Sequence, residues 1–503
     1  MFQEKLDFLM RLTNTRNSVL GRVIHVDAST ISRLRTGMRE LPKKQDFVKP
    51  MSAYFAKAIK DDYQIKSISE AIIPGQSWPE DESKAKALIY SWLLGKITVQ
   101  DVAVSRLLSG ISQFSFRQTG NDAPVNLIEA TAITGGPDDS NGIYIGREGK
   151  RAAVTAFLTA VLRSEKATTL LLFSDESMEW LYEDAAFAQL WAQLMARVIA
   201  KGNRIRIIHT VSRSLDEMLD AMFKWVPIYM SGAIEPHYSP RLRDGVYHRT
   251  LFIAPGQAAV VSSSVSMHTE RSLNLLIEDS RALSALEYEF QNYLSQCLPL
   301  MSIHKSGDSV EVLRLFNELN SVRGKTVIAH RGLSLATMPE AVANSISNRS
   351  GNSSITKLAK EQAKVFEKNV NMFSMLEIIS LPDADDISAD RIPLPFPDIL
   401  GKPGYFYTKE EFAQHLRNIL DLSEKHDNYH ISLSSTLIDN MLISHKEQTG
   451  VIVARTGPQP ITFAFNEPSI TKTFGEYLEK QVDSSQDSVA SLHEFLEGLI
   501  QGR

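Results

Sequence analysis

A single cysteine, Cys297, stands in 503 residues. One thiol excludes an intramolecular disulfide and any metal site built from several cysteines, and it fits a reducing cytosol. Long apolar runs are missing too. Nothing approaches the roughly 18 consecutive apolar residues that cross a bilayer, so no membrane partner is expected. The opening stretch MFQEKLDFLMRLTNTRN carries Glu4 and Asp7 and no apolar core, so it does not read as a secretory signal. A cytoplasmic protein is expected. Common catalytic signatures are absent as well: no Gly-x4-Gly-Lys-Ser/Thr, no His-Glu-x-x-His and no Gly-x-Ser-x-Gly. Gly135-Gly136 and Gly142–Gly146 lack the strand-to-helix setting of a phosphate cradle. Neither cofactor nor metal is expected.

Hydrophobic residues make up 43% of the chain and charged residues 22%, as in a soluble globular protein. The length exceeds what one core fills, which implies two to four domains. Charge is distributed unevenly. Residues 1–60 hold twelve Lys/Arg against five Asp/Glu, a local +7, while the whole chain carries −5. A small basic head on an acidic body is the electrostatic footprint of a nucleic-acid-binding module joined to a partner domain.

Within that head, Asn17–Gly37 reads NSVLGRVIHVDASTISRLRTG. Leu20, Ile24, Val26, Ile31 and Leu34 fall where two short crossed helices bury them, and Gly21 is small at the crossing. His25-Val26-Asp27 makes the turn, and Asp27 is placed to cap the next helix. That helix, Ala28–Arg35, exposes Ser29, Thr30, Ser32, Arg33 and Thr36, short hydroxyls and cations suited to base edges and phosphates. The pattern resembles the Cro/phage-repressor helix-turn-helix family, with Gly21 where that family usually has Ala and His25 where it has Gly. The resemblance implies base reading by Ala28, Ser29 and Arg33 and phosphate contacts from Asn17, Thr30 and Arg39. Ser32, Arg35, Lys43 and Lys44 complete the expected DNA-binding set on double-stranded DNA. It also implies a homodimer on a two-fold site.

Residues 61–120 read as mostly helical. Beyond about 125 the pattern alternates strands with helices: TTLLLF, a helix over Met178–Ala200, RIRIIHT, a helix over Leu215–Met230, the hairpin YHRTLFIA–AAVVSSS, a strand at Leu273–Glu278 and a helix at Ala282–Leu294. The Ser/Asn-rich stretch 345–360 and the Pro-rich stretch from Pro382 to Gly404 read as loops. RTLFIAPGQAAVVSSS followed by SLNLLIED parallels NMLISHKEQTGVIVAR followed by ITFAFNEP, a weak internal repeat. The expected organisation is therefore multidomain: an all-α helix-turn-helix domain over 1–62, a helical connector over 63–124, and α/β regions over 125–305 and 306–503.

His248-Arg249-Thr250 through Pro255-Gly256, then Ser262-Ser263-Ser264, then Asn274 to Glu278, resembles the phospholipase D superfamily frame. In that family a histidine and a lysine from each half act on a phosphodiester. Here Thr250 stands at the lysine and Pro255 at the aspartate, and the second half has no histidine at the matching Ile438–Asp439. The resemblance thus implies fold without catalysis, a body that is not an enzyme, and a cleft lined by His248, Ser262, Ser263 and Asn274 for a small-molecule effector, or a protein effector docked there. Ile328-Ala-His330-Arg331-Gly332 resembles the opening of glycerophosphodiester phosphodiesterases, but no Glu-x-Asp follows and too little chain remains for a barrel. The reading is a bacterial DNA-binding transcription regulator with a phospholipase D-like sensing body. The alternative is a phosphodiesterase or nuclease of that superfamily delivered to DNA by its head.

Overall fold

Apolar residues spaced three and four apart build the N-terminal unit. In the computed structural model the described residues are 2–39, 47–73, 78–79, 81–113, 142–176, 178–210, 215–241, 245–265, 268–305, 308–382, 384–394, 405–434, 436–457, 459–482 and 488–501. They divide into two units, Met1–Gln113 with Leu219–Phe223, and the remainder. The first contains helices α1 (Phe2–Leu12), α2 (Asn17–Val23), α3 (Ala28–Arg35), α4 (Val48–Ala58), α5 (Asp62–Ile72), α6 (Glu82–Leu93) and α7 (Val99–Gln113). Leu6, Leu9, Leu20, Ile24, Ile31, Leu34, Met51 and Phe55 share one core. Ile68, Ile72, Ile89 and Trp92, from the stretch read as a connector, belong to that same core.

Two residues set the α2–α3 turn. His25 adopts a left-handed backbone, φ 57°, a conformation histidine tolerates better than a branched residue. A Cβ added to Gly21 would lie 2.5 Å from the carbonyl oxygen of Val26, so the alanine usual in the family does not fit this turn unshifted. Asp27 occupies the N-cap position of α3, but its carboxylate makes no capping hydrogen bond. Its backbone oxygen accepts from Thr30 and Ile31 instead.

The second unit carries two large mixed sheets. The first sheet uses β1 (Ile143–Ile145), β2 (Thr169–Ser174), β3 (Arg204–Thr210), β4 (Ile234–Ser239), β5 (Tyr247–Ala254), β6 (Ala258–Val265), β7 (His268–Ile277) and β8 (Leu298–Pro299), in spatial order β1-β7-β6-β5-β2-β3-β4-β8. The second uses β9 (Met301–Lys305), β10 (Thr326–Arg331), β11 (Met375–Ser380), β14 (Tyr429–Leu433), β15 (Met441–Lys446), β16 (Gly450–Arg455) and β17 (Ile461–Phe465), in order β14-β11-β10-β15-β16-β17-β9. A small hairpin of β12 (Ile392–Pro393) and β13 (Phe406–Tyr407) lies between β11 and β14 in the chain.

Read strand by strand, the sheets share one topology. β1 pairs antiparallel with β7 and β9 with β17, two hairpins follow inward in each sheet, and two parallel pairs follow; the first sheet adds β8, antiparallel to β4. The parallel pairs need crossovers, which helices Ala185–Ala200 and Leu215–Tyr229 supply in the first sheet, and Ser354–Val370 and Lys409–Lys425 in the second. The hairpins β5–β6 and β15–β16 close on Ala254–Ala258 and Lys446–Gly450. Counting four residues back from each closing pair, the row Ser174–Thr250–Ser262–Asn274 corresponds to His330–Leu442–Ala454–Thr462.

Three local expectations change. The stretch 345–360 is not a loop: helix Glu340–Ser350 ends at Gly351, φ 67°, and helix Ser354–Val370 follows. Val342, Ala343, Ile346, Ile355 and Leu358 bury at helical spacing, which outweighs the polar Ser/Asn composition. Met178–Ala200 breaks into Glu179–Tyr182 and Ala185–Ala200, because Asp184 accepts from the amides of Ala186 and Phe187 and starts a new helix. The Pro-rich stretch holds helix Ala384–Ser388 and strand β12, which pairs with β13 beyond Gly404; residues 383 and 395–404 lie outside the described set.

The crossing predicts that Gly21→Ala destabilises the N-terminal unit by about 1–3 kcal/mol, the usual range for overpacking. Urea unfolding followed by far-UV circular dichroism measures it, and an unchanged midpoint contradicts the assigned crossing.

Candidate functional site

On α3 the exposed residues are Ala28, Ser29 and Arg33, followed by Thr36, Met38 and Arg39; Thr30 and Ser32 are half-buried. Ser29 and Arg33 lie four apart, on one face of the helix. Arg39 Nη1 donates to Thr30 Oγ1 at 3.4 Å, which brings the two expected phosphate contacts together. Arg35 and Asn17 are occupied within the fold. Arg35 donates through Nε to Asp7 Oδ1 at 3.0 Å and through Nη1 to Asn17 Oδ1 at 2.9 Å. That fork ties α1, α2 and α3 together. Lys43 and Lys44 lie outside the described residues.

In the first sheet the polar row is occupied by a charge pair that the motif positions do not contain. Lys150, from helix Gly146–Arg163, and Glu176, just past β2, form a buried ion pair. Lys150 Nζ also donates to Thr250 Oγ1 at 2.8 Å and lies 5.2 Å from the centre of the Trp180 ring. Thr250 and Ser174 hydroxyls meet at 2.8 Å, and Ser262 Oγ donates to Glu176 at 3.3 Å. Burial pushes the Glu176 carboxyl up, but the Lys150 charge and the hydrogen bonds of Lys150 and Thr250 outweigh it and hold Glu176 below its ordinary range. Burial pushes Lys150 down, and Glu176 opposes that shift.

Of the cleft residues expected from sequence, His248, Ser262 and Asn274 share one face of the sheet by register. Asn274 donates to the carbonyls of Gly146 at 3.0 Å and Ser272 at 3.2 Å. Ser263 points to the opposite, exposed face, as strand alternation requires. Lys150 and Glu176 were not singled out in the sequence. The signal was faint: Lys150 lies in the charged opening GREGKR of its helix, just before the apolar run AAVTAFLTAV.

The second sheet holds a separate polar network. His330 Nε2 and Glu377 Oε1 are 3.0 Å apart, and Tyr429 donates to Glu377 Oε2 at 2.6 Å. His415 bonds Thr337 Oγ1 at 3.1 Å and the Tyr407 hydroxyl at 2.9 Å. All four of His330, Glu377, Tyr429 and His415 are buried. Burial raises Glu377, yet the hydrogen bond and charge of His330 outweigh it and hold the carboxyl low. Burial drives His415 down to about 3, against the opposing charge of Glu377. His330 therefore belongs to a strand of an open seven-stranded sheet, not to a barrel.

Two outcomes follow from these clusters. Lys150→Met leaves Glu176 buried without its counter-charge and is expected to destabilise the second unit by about 3–5 kcal/mol. The double variant Lys150→Met/Glu176→Gln recovers most of that loss, and guanidinium unfolding of both variants checks it. His415 is neutral in the folded protein but titrates near 6.5 when unfolded. Its folded value is depressed, so its contribution is complete above pH 6.5 and is lost as pH falls toward 3. Over that span wild type is expected to lose on the order of 4 kcal/mol through this one residue, and His415→Gln to flatten the slope.

No family model matches the chain, and no curated protein resembles it closely enough to count as a match. Among solved structures it is similar to the archaeal chromatin protein TrmBL2, whose structure shows a novel mode of DNA binding, at 13% identity over 34% of this chain and 59% of that one, TM-score 0.23. It is also similar to a polyphosphate kinase from Porphyromonas gingivalis, at 11% identity over 84% of this chain and 65% of that one, TM-score 0.22. The chain thus spans less than two thirds of either structure. The expectation that the body is not an enzyme is withdrawn: the second likeness, over 84% of this chain, is to an enzyme's chain. The physical flaw in that expectation is visible at Thr250. Counting charges along one strand ignores cations from other elements: Lys150, on helix Gly146–Arg163, hydrogen-bonds the Thr250 hydroxyl at the position where the frame has its lysine. At these TM-scores neither likeness assigns this chain a fold or an activity.

Proposed function

We propose that this chain is a sequence-specific DNA-binding transcriptional regulator, acting as a homodimer, whose α/β body responds to an effector. The observation that carries the reading is α3 itself. It follows a tight turn built on Gly21 and His25, and it presents Ser29 and Arg33 on one face beside the Thr30–Arg39 pair. Short hydroxyls read base edges or phosphates, and an exposed arginine reads guanine through two parallel hydrogen bonds. The Arg35 fork supports this arrangement without entering it, since fixing α1 and α2 against α3 sets the angle at which α3 enters a groove.

The matching topology of the two sheets supports a body made of two related, phospholipase D-like halves. A single head covers few base pairs, and the helix-turn-helix class reaches selectivity by two-fold pairing. An effector acts by binding one state of such a dimer better than the other.

Arg33→Ala is expected to weaken binding to the selected operator by about 1–3 kcal/mol and to relax preference at one base pair. Arg35→Ala is expected to lower the unfolding midpoint of the N-terminal unit first, with affinity falling as the unit loosens. Operator selection from random duplexes, followed by fluorescence anisotropy at several salt concentrations, measures both. Full operator affinity in Arg33→Ala contradicts the assignment of α3 as the reading helix.

A further inference from the structure

Helix Ser354–Val370 carries two buried amide side chains to the lining of a cavity over the second sheet, Gln362 at 5% and Asn369 at 9% exposure. Asn369 Nδ2 donates to the backbone oxygen of Asn320 at 2.6 Å, and Gln362 Nε2 donates to Asn317 Oδ1 at 3.0 Å. Both anchors lie on helix Ser309–Ser321. With their nitrogens held there, Asn369 Oδ1 and Gln362 Oε1 are left as acceptors without a donor among the described residues. A buried amide oxygen that gives up water without gaining a donor costs free energy.

The sheet forms the floor of this cavity. Register sets Ser444 opposite Ile328 and puts Thr326 on the same face. Thr326 Oγ1 accepts from Lys446 Nζ at 2.8 Å and keeps its own proton to give, and the buried Ser444 hydroxyl has no hydrogen-bond partner. Phe316, Leu335 and Phe366 supply apolar walls, and half-buried Ala336 and Val365 carry the lining to the surface. Among the described residues no charged side chain lines the cavity, and Lys446 is not part of it. The free volume is about 40 Å³, room for roughly three or four water-sized groups. An ammonium group would find no counter-charge there. A carboxylate would face amide oxygens with no cation, and the apolar walls make either charge costly. The lining selects a neutral group with N–H bonds to give and an oxygen to receive, which a primary carboxamide supplies.

We propose that this cavity binds the primary carboxamide of a small neutral molecule, its two N–H donors meeting Gln362 Oε1 and Asn369 Oδ1 and its carbonyl oxygen accepting from the Thr326 and Ser444 hydroxyls. The site belongs to the second sheet and rests on no part of the regulator assignment, so failure of DNA reading leaves it untouched.

Acetamide is the probe, with acetone and sodium acetate as comparators of the same shape. Acetone puts a methyl group where the N–H donors stand, and acetate a negative charge. Saturation transfer from the full chain to the methyl protons of each compound, followed through a titration, gives the affinity. Acetamide is expected to bind saturably, and acetone and acetate about 10-fold more weakly or not at all. Ala336→Leu fills the space without removing a hydrogen-bonding side chain and is expected to abolish acetamide binding. Gln362→Leu removes one acceptor and is expected to weaken it roughly 3- to 10-fold. The proposal is overturned by no saturable transfer to acetamide, by equal binding of acetone or acetate, or by acetamide binding that survives Ala336→Leu. If Ala336→Leu does not fold, Gln362→Leu decides, and affinity equal to wild type rejects the site.

Discussion

Lys150 reaches the middle of the first sheet because Glu176 is there to meet it. Strands covered on both faces leave no water to solvate a charge, so each buried ionic group must find its counterpart inside the protein. This constraint shapes the whole α/β unit. Thr250, Ser174 and Ser262 gather around the Lys150–Glu176 pair, and His330 with Tyr429 surrounds Glu377 in the second sheet. Each cluster draws its members from elements far apart in sequence, so each also pins those elements to one register. Lys446 departs from the pattern, a buried ammonium with a hydroxyl and an aromatic ring but no carboxylate partner among the described residues.

The N-terminal unit answers to a different constraint. Its helices are short, and most of their stability comes from burying one apolar face rather than from helix propensity. Leu20, Ile24, Ile31 and Leu34 face inward with residues of α1, α4, α5 and α6, leaving the polar side of α3 to solvent. The Arg35 guanidinium spans Asp7 and Asn17 at the junction of α1, α2 and α3. A charge that looks suited to DNA on a helical wheel is in this way given to the fold, while Arg33, two positions earlier, stays outside.

Much of this was legible in the sequence. The helix-turn-helix spacing, the Pro255-Gly256 hairpin turn and the likeness between the two hairpin–strand–helix runs all reappear in the structure, because each rests on local periodicity and turn chemistry. Misreadings came where composition and packing disagreed. Ser and Asn around residue 350 suggested a loop, yet the apolar residues among them sit at helical intervals and bury. Ser262 and Ser263 were grouped as cleft residues, although neighbours on a strand face opposite ways. The crossover strand β11 went unnoticed, since four of its six residues are buried, on both faces, and carry no clean alternation to detect.

The sequence by itself determined the basic head, the crossing at Gly21, the alternation of strands and helices and the two hairpins of like form, since these depend on residues within a few turns of one another. Only the tertiary structure decided which charges are neutralised and which remain. Lys150 is 26 positions from Glu176 and 100 from Thr250, and His330 is 47 from Glu377. Those partners meet because parallel strands and their crossover helices bring distant segments side by side, and buried charge settles only where such segments supply its complement.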